Sequence, residues 1–156
     1  MIEISIPGFG KLSLKHLVLD YNGTLATDGI LITGVRERLL QLNKLITIHI
    51  LTADTFGLAA SELTNIPCKI KIIEGTNEDQ QKEDYVNSLG LENVVAFGNG
   101  NNDRKMLKAA RLGISIIGSE GCSPAAIQAA DMIVANILDG LDLLLKPLRC
   151  KATLRF

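Results

Sequence analysis

The sequence predicts a doubly wound α/β fold, in which a mainly parallel sheet has helices on both of its faces. Two observations support this prediction. Short runs rich in β-branched residues alternate with longer amphipathic segments, as expected when crossover helices join parallel strands. The 156 residues, with 47% apolar and 21% charged side chains, are typical of one globular domain, so we expect a single domain over residues 1–156.

The predicted strands are short apolar runs bounded by turn residues. The segment 1–14 is predicted to form an N-terminal edge hairpin, because Pro7-Gly8-Phe9-Gly10 separates two alternating runs. The predicted strands are Ile2–Ile6, Leu12–Asp20, Ile46–Thr52, Cys68–Ile73, Val94–Phe97, Ile114–Ile117 and Met132–Val134. His16 and His49 lie in apolar strand contexts, which predicts core or edge positions.

The predicted helices are Val35–Asn43, Phe56–Asn65, Glu78–Ser88, Asp103–Arg111, Pro124–Ala130 and Ile137–Leu145. Ser123 precedes Pro124 as an N-cap residue, with proline at the first helical position. Gly90 and Gly113 stand where two of the helices are expected to end. Right-handed crossovers between the parallel strands then produce the doubly wound sheet. The basic tail 146–156 is interpreted as a solvated C-terminus or as a lid over a neighbouring subunit's anionic substrate.

The charge and cysteine content exclude several classes of protein. A net charge of −1 and a pI near 6.1 predict no nucleic-acid partner and no anionic membrane partner. No apolar run approaches the roughly 20 residues of a membrane helix, and the first residues lack a basic signal region. We therefore expect a cytoplasmic protein. The odd, widely spaced set Cys68, Cys122 and Cys150 argues against a disulfide framework or a zinc site.

Polar residues follow the strands that are predicted to be central. One strand ends at Asp20, the next ends at Thr52, and Val94–Phe97 leads into the glycine- and asparagine-rich run Gly98–Asp103. The carboxyl ends of parallel strands are where open α/β sheets bind ligands. A nucleophile, hydrogen-bond donors and a cation such as Lys82 are the groups that phosphoryl transfer requires. Taken singly, each has a simpler interpretation: Asn-Gly is a common turn dipeptide, and Lys82 stands in a charged run typical of a solvated helix face.

The joint order of these residues resembles the four motifs of the haloacid dehalogenase superfamily. Asp20-Tyr21-Asn22-Gly23-Thr24 resembles the first motif, Asp-x-Asp-Gly-Thr, whose first Asp attacks phosphorus and becomes an aspartyl-phosphate. Thr52 matches the second-motif hydroxyl and Lys82 the third-motif cation. Gly98–Asp103 is similar to the fourth motif, Gly-Asp-Gly-x-Asn-Asp, whose carboxylates hold magnesium. The resemblance extends from Asp20 to about Leu145 and implies the superfamily's Rossmann-like fold.

The resemblance also implies roles for individual residues. The catalytic residues would be Asp20, Asn22, Thr52 and Lys82. The phosphate-binding residues would be Gly23, Thr24, Thr52, Ala53, Lys82 and Asn102. The ligands of a Mg²⁺ cofactor would be Asp20, Asn22, Asn99 and Asp103.

Two positions depart from the motifs. Asn22 replaces the Asp that serves as general acid and base in family phosphatases, a contribution typically worth about 10²–10⁴-fold, so slow turnover is expected. Asn99 replaces the principal metal-binding Asp, and a neutral carbonyl should hold Mg²⁺ more weakly than a carboxylate. The alternative to an enzyme is a catalytically impaired regulatory protein that binds phosphate or metal.

The spacing of the motifs predicts that no cap domain covers the site. The intervals Asp20–Thr52 and Thr52–Lys82 are filled by a short flap (Leu25–Ile32), two helices and the connecting strands. The runs Leu51–Asp54 and Asn101–Leu107 resemble the phosphorylation domains of P-type ATPases, and the first motif also resembles capless 3-deoxy-octulosonate 8-phosphate phosphatases, which are tetramers. An open site implies a phosphorylated small-molecule or macromolecular substrate, or a homo-oligomer, dimer or tetramer, in which a neighbour supplies the lid.

Overall fold

The computed structural model describes residues 1–54 and 57–156. Its strands are β1 (Ile2–Ile6), β2 (Gly10–Leu14), β3 (His16–Asp20), β4 (Ala26–Thr27), β5 (Ile30–Leu31), β6 (Thr47–Thr52), β7 (Lys69–Ile72), β8 (Val94–Gly98), β9 (Leu112–Ile116) and β10 (Met132–Val134). Six of them form a parallel sheet in the order β10-β9-β8-β3-β6-β7. The carboxyl ends of these six strands therefore share one edge of the sheet.

The helices cover both faces of this sheet. They are α1 (Val35–Leu42), α2 (Leu58–Glu62), α3 (Glu78–Ser88), α4 (Arg104–Ala109), α5 (Pro124–Ala129), α6 (Ile137–Leu145) and α7 (Pro147–Leu154). Buried side chains of α1, α2, α6 and α7 join one apolar cluster, and those of α3, α4 and α5 join a second. The predicted doubly wound α/β fold is confirmed.

The central strand β3 shows why both faces need helices. Leu17 and Leu19 belong to the first apolar cluster and Val18 to the second, and all three are fully buried. Successive side chains of a strand point to opposite faces, so a strand that is covered on both sides is apolar at every position. That continuous run places Asp20 at the end of a buried strand.

The predicted strand Leu12–Asp20 is two strands in the structure. The chain breaks at the exposed Lys15, whose backbone N–H donates to the carbonyl of Asn93 (2.8 Å) and whose carbonyl accepts from the N–H of Thr47 (2.9 Å). Before Lys15 the chain pairs antiparallel with β1, and after it the chain enters the parallel sheet. The N-terminal hairpin is present, and its apolar residues pack into the first cluster.

The C-terminal tail contains a helix that the sequence analysis did not assign. Residues Pro147–Leu154 form α7, and Cys150 is fully buried with its Sγ 4.0 Å from the Sδ of Met132. The N–H of Phe156 donates to the carbonyl of Pro7 (3.1 Å). Because Met132 begins β10 and Pro7 lies in the hairpin turn, α7 packs at the amino ends of the strands, away from Asp20. The interpretation of the segment as a solvated terminus was wrong for its buried face.

The other predicted elements differ from the structure mainly at their ends. Ile2–Ile6, Glu78–Ser88, Met132–Val134 and Ile137–Leu145 have the predicted bounds. The last strand before α5 begins earlier than predicted, at Leu112, and Phe56 of the predicted helix Phe56–Asn65 lies outside the described residues. None of the helices in the described ranges is long and apolar enough to span a membrane.

The flap is a small hairpin over the edge of the sheet, formed by β4 and β5. Its turn residues Asp28 and Gly29 have φ values of 52° and 78°, the left-handed geometry of a tight two-residue turn. Side chains from both sides hold the flap: the N–H of Asp28 donates to Glu120 (2.8 Å) and the N–H of Leu31 donates to Glu62 (3.0 Å). Between β6 and β7 the described chain forms only α2, so the part of the protein that the structure describes has no cap domain.

A neutral polar cluster lies under α3 near the amino end of β3. The Nδ1 of His16 lies 3.1 Å from the Nε2 of His49, and the Nδ1 of His49 lies 2.9 Å from the hydroxyl of Tyr85. His49 is 1% exposed, and burial, followed by repulsion from His16 when it is protonated and from Lys69, lowers its pKa to about 4. The predicted core positions of the two histidines are thereby confirmed for His49, while His16 is half-buried.

Candidate active site

The centre of the site is a buried cluster of three ionisable side chains. The Nζ of Lys82 lies 2.7 Å from Asp20 Oδ1 and 2.6 Å from Asp103 Oδ1. The exposed fractions of Asp20, Lys82 and Asp103 are 7%, 1% and 0%. One ammonium group thus bridges two carboxylates that come from different parts of the sheet's carboxyl edge.

Helix α3 positions Lys82 at the site, because Lys82 lies on the narrow face of the helix that is buried. Lys82 and Val86, four residues apart, are its buried residues, and most of its other side chains are acidic or amide groups on the solvent side. Lys82 lies on the same buried face of α3 as Val86, and its ammonium group contacts the two carboxylates. The interpretation of Lys82 as part of a solvated helix face was therefore wrong, although it holds for the acidic residues around it.

Asp103 is held by two strong sets of contacts. Its Oδ1 binds Lys82, while its Oδ2 accepts hydrogen bonds from the backbone N–H groups of Asn99 and Gly100, each at 2.9 Å. A Cβ atom on Gly98 would lie 2.5 Å from the Asp103 side chain, so this turn requires glycine there. Both carboxylate oxygens of Asp103 are already bound, and it would have to release one contact to ligate a metal ion.

The charges in this cluster do not balance, since two carboxylates face one ammonium group. Burial and the negative charge of Asp103 raise the pKa of Asp20 to about 7, against the opposing effects of Lys82 and Thr24. Burial by itself would lower the pKa of Lys82, but Asp20 and Asp103 outweigh it and raise that pKa above its ordinary value. Lys82 therefore stays charged, and the cluster carries an excess negative charge whenever Asp20 is ionised.

A second pair of oxygens faces the same carboxylate. The hydroxyl oxygen of the buried Thr24 lies 3.2 Å from Asp20 Oδ2 and 3.2 Å from Asn99 Oδ1. The amide nitrogen of Asn99 donates to the carbonyl of Gly121 (3.1 Å), which turns its oxygen towards Thr24. A Cβ atom on Gly23 would clash with that amide, so only glycine fits beside it. One hydroxyl proton cannot serve both acceptors at once.

This oxygen pair is suited to a hard cation. A carboxylate and a carboxamide oxygen, with a single proton between them, are ligands that Mg²⁺ accepts. Asp20 and Asn99 would hold the ion, and Asn22 lies two residues after Asp20 in the same turn. Within the described residues there is no group of three or more His, Cys, Asp or Glu side chains suited to a metal ion. The set therefore fits a weak divalent site with one firm carboxylate ligand.

The structure places the other predicted site residues around this centre with different contacts. Thr52 is buried, and its hydroxyl oxygen accepts from the N–H of Asp54 (3.1 Å). Ala53 and Asn22 are exposed. The amide of Asn102 donates to Glu78 (2.6 Å) at the start of α3, so in this structure its nitrogen is bound to protein.

Three residues at the site were not predicted: Glu78, Glu120 and Gly121. Glu78 holds Asn102, Glu120 holds the flap, and the carbonyl of Gly121 orients Asn99. Two of them lie in the segment after β9, which has no motif. The one sequence signal that could have located this segment near the site is its position directly after a parallel strand.

The comparisons with known proteins agree with this geometry. The family model of the haloacid dehalogenase-like hydrolases matches residues 57–140, more than half of the chain. The chain belongs to this family of hydrolases. Both the predicted superfamily and the prediction of an enzyme of this type are confirmed.

Two uncharacterised proteins of Methanocaldococcus jannaschii are similar in sequence. One is 41% identical over 87 residues, which cover 56% of this chain and 84% of that protein. The other is 54% identical over 42 residues, which cover 27% of this chain and 96% of that protein.

Similar solved structures include phosphatases and an ion pump. The 3-deoxy-D-manno-octulosonate 8-phosphate phosphatase of Moraxella catarrhalis has a TM-score of 0.67 and 18% identity over 86% of this chain and 87% of its own. The corresponding phosphatase of Haemophilus influenzae has a TM-score of 0.71 and 11% identity over 86% and 88%. A zinc-transporting P-type ATPase has a TM-score of 0.64 and 25% identity over 79% of this chain but only 20% of its own.

Proposed function

We propose that this protein is a magnesium-dependent phosphatase or phosphoryl-transfer hydrolase that acts through an aspartyl-phosphate on Asp20. The observation that carries the proposal is the buried contact of Lys82 with both Asp20 and Asp103, at 2.7 and 2.6 Å. A lysine that is 1% exposed and bound to two carboxylates is costly to bury, and perturbed groups of this kind cluster at functional sites.

The side chains have distinct tasks in this mechanism. A carboxylate oxygen of Asp20 forms the bond to phosphorus, and the bond from phosphorus to the leaving-group oxygen breaks. Lys82 would stabilise the negative charge on the phosphoryl oxygens, and the Thr52 hydroxyl would donate to them. Bound Mg²⁺, held by Asp20, Asn99 and Asn22, would offset the charge of the phosphate. Water then cleaves the bond from phosphorus to Asp20 and restores the carboxylate.

Two of the similar solved structures contain metal ions. The Moraxella phosphatase structure contains magnesium, phosphate and the sugar acid, and the Haemophilus structure contains cobalt. Both are named as phosphatases. Their low identity to this chain carries the fold alone, so the metal and the reaction rest on Asp20, Lys82 and Asn99.

We also propose that the protein is a homo-oligomer in the cytoplasm, acting on a phosphorylated small molecule or macromolecule. The lack of a cap in the described chain and two exposed apolar residues, Ile30 on the flap (56%) and Leu58 at the start of α2 (43%), support a neighbouring subunit at the mouth of the site. Light scattering at micromolar concentration is expected to show a dimer or tetramer, and a clean monomer would refute this part of the proposal.

The test of the mechanism is the variant Asp20→Asn. It removes the nucleophile at almost constant volume, so hydrolysis of acyl, aryl and sugar phosphates with Mg²⁺ should fall to background while the circular dichroism spectrum is retained. The control is Asp131→Asn, at the amino end of the sheet, which should hydrolyse the same phosphates at the rate of the parent. Trapped phosphoprotein should be labile to hydroxylamine in the parent and absent from Asp20→Asn. Normal turnover by Asp20→Asn would exclude the mechanism.

The second candidate is a regulatory protein that keeps the fold without turnover. The observation that favours it is the pair Asn22 and Asn99, which leaves the turn without a general acid and the oxygen pair with one carboxylate. A protein that binds phosphate and magnesium but forms no phosphoenzyme with any acyl phosphate would establish this alternative.

A further inference from the structure

A cleft lies beside the site, between the flap and the segments that follow β9 and β10. This flap cleft has a volume of about 230 Å³, and most of its wall is apolar, formed by Ile32, Ile116, Ile137 and Leu138. Ile116 and Ile137 are each 1% exposed and belong to the first apolar cluster. The flap cleft therefore extends from the carboxyl edge of the sheet down to the core.

The rest of the wall is neutral. It consists of small or uncharged residues, namely Thr24, Thr27, Gly118, Ser119 and Asn136, and none of the described residues that line the cleft is charged. The amide of Asn136 is engaged at the start of α6, where its oxygen accepts from the N–H of Asp139 at 2.9 Å. A charged or heavily hydroxylated ligand would lose its hydrogen bonds with water in this cleft and regain few of them.

The flap cleft shares a wall with the nucleophile. Thr24 lines the cleft, and its hydroxyl oxygen lies 3.2 Å from Asp20 Oδ2. On the adjoining wall, a Cβ atom on Gly118 would lie 3.3 Å from the carbonyl oxygen of Gly23, so the segment after β9 packs directly on the same turn. One residue of that turn thus separates the apolar space from the carboxylate.

The flap cleft is already formed in the structure. The N–H of Asp28, at the tip of the flap, donates to the side chain of Glu120 at 2.8 Å, and this bond ties the flap to the segment opposite it. The side chains of Ile32 and Leu138 pack against the core, which fixes them as well. A ligand that enters a preformed apolar cleft has little ordering free energy to overcome.

We propose that the flap cleft binds the organic group of the substrate, so that the protein selects phosphomonoesters whose organic group is uncharged and mainly apolar. The proposal rests on the proposed function, because the phosphate of the same molecule is bound at Asp20. In other proteins an apolar cavity of about 150 Å³ holds benzene. A cleft of about 230 Å³ therefore has room for a ring with one or two further carbons, or for a short alkyl chain.

The size of the effect follows from the area that is buried. Each methylene group that moves from water into an apolar site increases affinity by about two- to four-fold. Affinity should rise with chain length while the chain fills the cleft, and it should level off once the cleft is full. A hydroxylated chain of the same size should gain almost nothing.

The experiment uses phosphonates, whose carbon–phosphorus bond resists hydrolysis. The intact protein with Mg²⁺ is titrated calorimetrically with methyl-, propyl-, pentyl- and heptylphosphonate. We expect affinity to increase along the series before it levels off. The polar counterpart of pentylphosphonate is 2,3-dihydroxypropylphosphonate, which has the same number of heavy atoms in its chain and should bind no more than about two-fold more tightly than methylphosphonate.

Variants that fill the cleft locate the binding. Leu138→Phe enlarges an apolar wall residue, and Ser119→Phe places a ring at an exposed position on a different wall. In both variants, pentylphosphonate should bind within about two-fold of methylphosphonate, whose own affinity should be unchanged. The control Leu40→Phe alters a leucine that is 39% exposed on α1 and should keep the dependence on length. Circular dichroism verifies the fold of each variant.

The methyl resonances of isoleucine provide an independent location. Those of Ile116 and Ile137 should shift when pentylphosphonate is added to the parent, whereas that of Ile133, which is 48% exposed on β10, should not. An unchanged spectrum at Ile116 and Ile137 would overturn the proposal. Three results of the titrations would do the same: a flat series, dihydroxypropylphosphonate bound as tightly as pentylphosphonate, or an equal rise in the parent and both filled variants.

The failure of this proposal differs from the failure of the proposed function. If the phosphonates bind in the expected order but neither pentyl phosphate nor any acyl phosphate is hydrolysed, the flap cleft stands and the phosphatase activity fails. If acetyl phosphate is hydrolysed through Asp20 while the phosphonate series is flat, the phosphatase activity stands and the flap cleft fails.

Discussion

Two polar clusters lie against the same strand and the same helix, and one of them is charged whereas the other is neutral. Asp20 and His16 stand at the two ends of β3, and Lys82 and Tyr85 lie one turn apart on α3. The cluster at the carboxyl end holds two carboxylates and one ammonium group. The cluster at the amino end consists of His16, His49 and Tyr85. It is neutral, and hydrogen bonds join His49 to both of the other side chains.

The difference shows what burial alone favours. Burial lowers the pKa values of both histidines, and neighbouring lysines lower them further, so the amino-end cluster stays uncharged. At the carboxyl end the chain keeps three ionisable groups together with an excess of acid. An arrangement that folding does not require is expected where a ligand, such as the proposed phosphate with its metal ion, supplies the missing interactions.

Breaking the charged cluster should have the largest effect. Lys82→Met leaves two buried carboxylates without a counter-ion, so the free energy of unfolding should fall by about 3–5 kcal/mol. Phosphate release should fall by about 10²–10³-fold, because the stabilising cation is lost. Urea unfolding and a steady-state assay measure the two quantities.

The control for this variant is Lys105→Met, which removes a half-buried surface lysine paired with Asp79 and should change stability by about 1 kcal/mol or less. Equal stability of Lys82→Met and the parent would contradict the charged cluster.

The neutral cluster should make the stability of the protein depend on pH in the acidic range. The unfolded chain protonates His49 near its ordinary pKa of 6.5, whereas the folded chain resists protonation until about 4. The unfolded state therefore binds more protons in this window, and stability should fall by about 2–3 kcal/mol as the pH decreases from 6.5 to 4. Urea unfolding at a series of pH values in the parent and in His49→Gln isolates this contribution. An identical slope in both proteins would show that His49 is not its source.

Adding a general acid at the charged cluster should increase turnover. Asn22→Asp places a carboxylate two residues after the nucleophile, and turnover should rise by about 10–100-fold, most for poor leaving groups. The side chain is exposed, so stability should change little. The ratio of kcat for an alkyl phosphate to kcat for an aryl phosphate measures the effect. A ratio equal to that of the parent would mean that proton donation does not limit the reaction.

The smallest change is expected for Asn99→Asp. The new carboxylate faces Asp20 and the carbonyl of Gly121, so the metal-free protein should lose about 1 kcal/mol of stability. With an anionic ligand added, magnesium should bind several-fold more tightly. Thermal unfolding with and without Mg²⁺ reads both effects, and a variant that Mg²⁺ stabilises no more than the parent would count against Asn99 as a ligand.

Much of the fold could be predicted because the pattern of apolar residues is local. The continuous run through Leu17, Val18 and Leu19 marks a strand buried on both faces. The break at Lys15 was missed, although the pattern changes there from alternating to continuous. Its cause is not local: Lys15 bonds to Asn93 and Thr47, which are remote in sequence. Helix α7 was missed because its short buried face rests on the hairpin and on β10.

The candidate site was predicted in its residue types more than in its contacts. The order of Asp20, Thr52, Lys82 and Asp103 along the chain was enough to place them at one edge of a parallel sheet. The sequence could not show that Asp103 has both oxygens bound to protein, or that Asn102 contacts Glu78. These contacts depend on how the turn 98–103 folds against α3, and that is decided by packing.

The two Asn-Gly pairs will also age differently. Conversion of asparagine to aspartate proceeds when the following backbone nitrogen attacks the side-chain amide. Both glycine nitrogens are hydrogen-bonded, that of Gly100 to Asp103 and that of Gly23 to the carbonyl of Ala26, but only Asn99 also has its side-chain amide bound, to the carbonyl of Gly121. Asn22 is exposed on its turn. In stored protein, the first mass gain of about one dalton therefore arises at Asn22, where it installs the missing carboxylate, and a preparation can acquire activity simply by growing old.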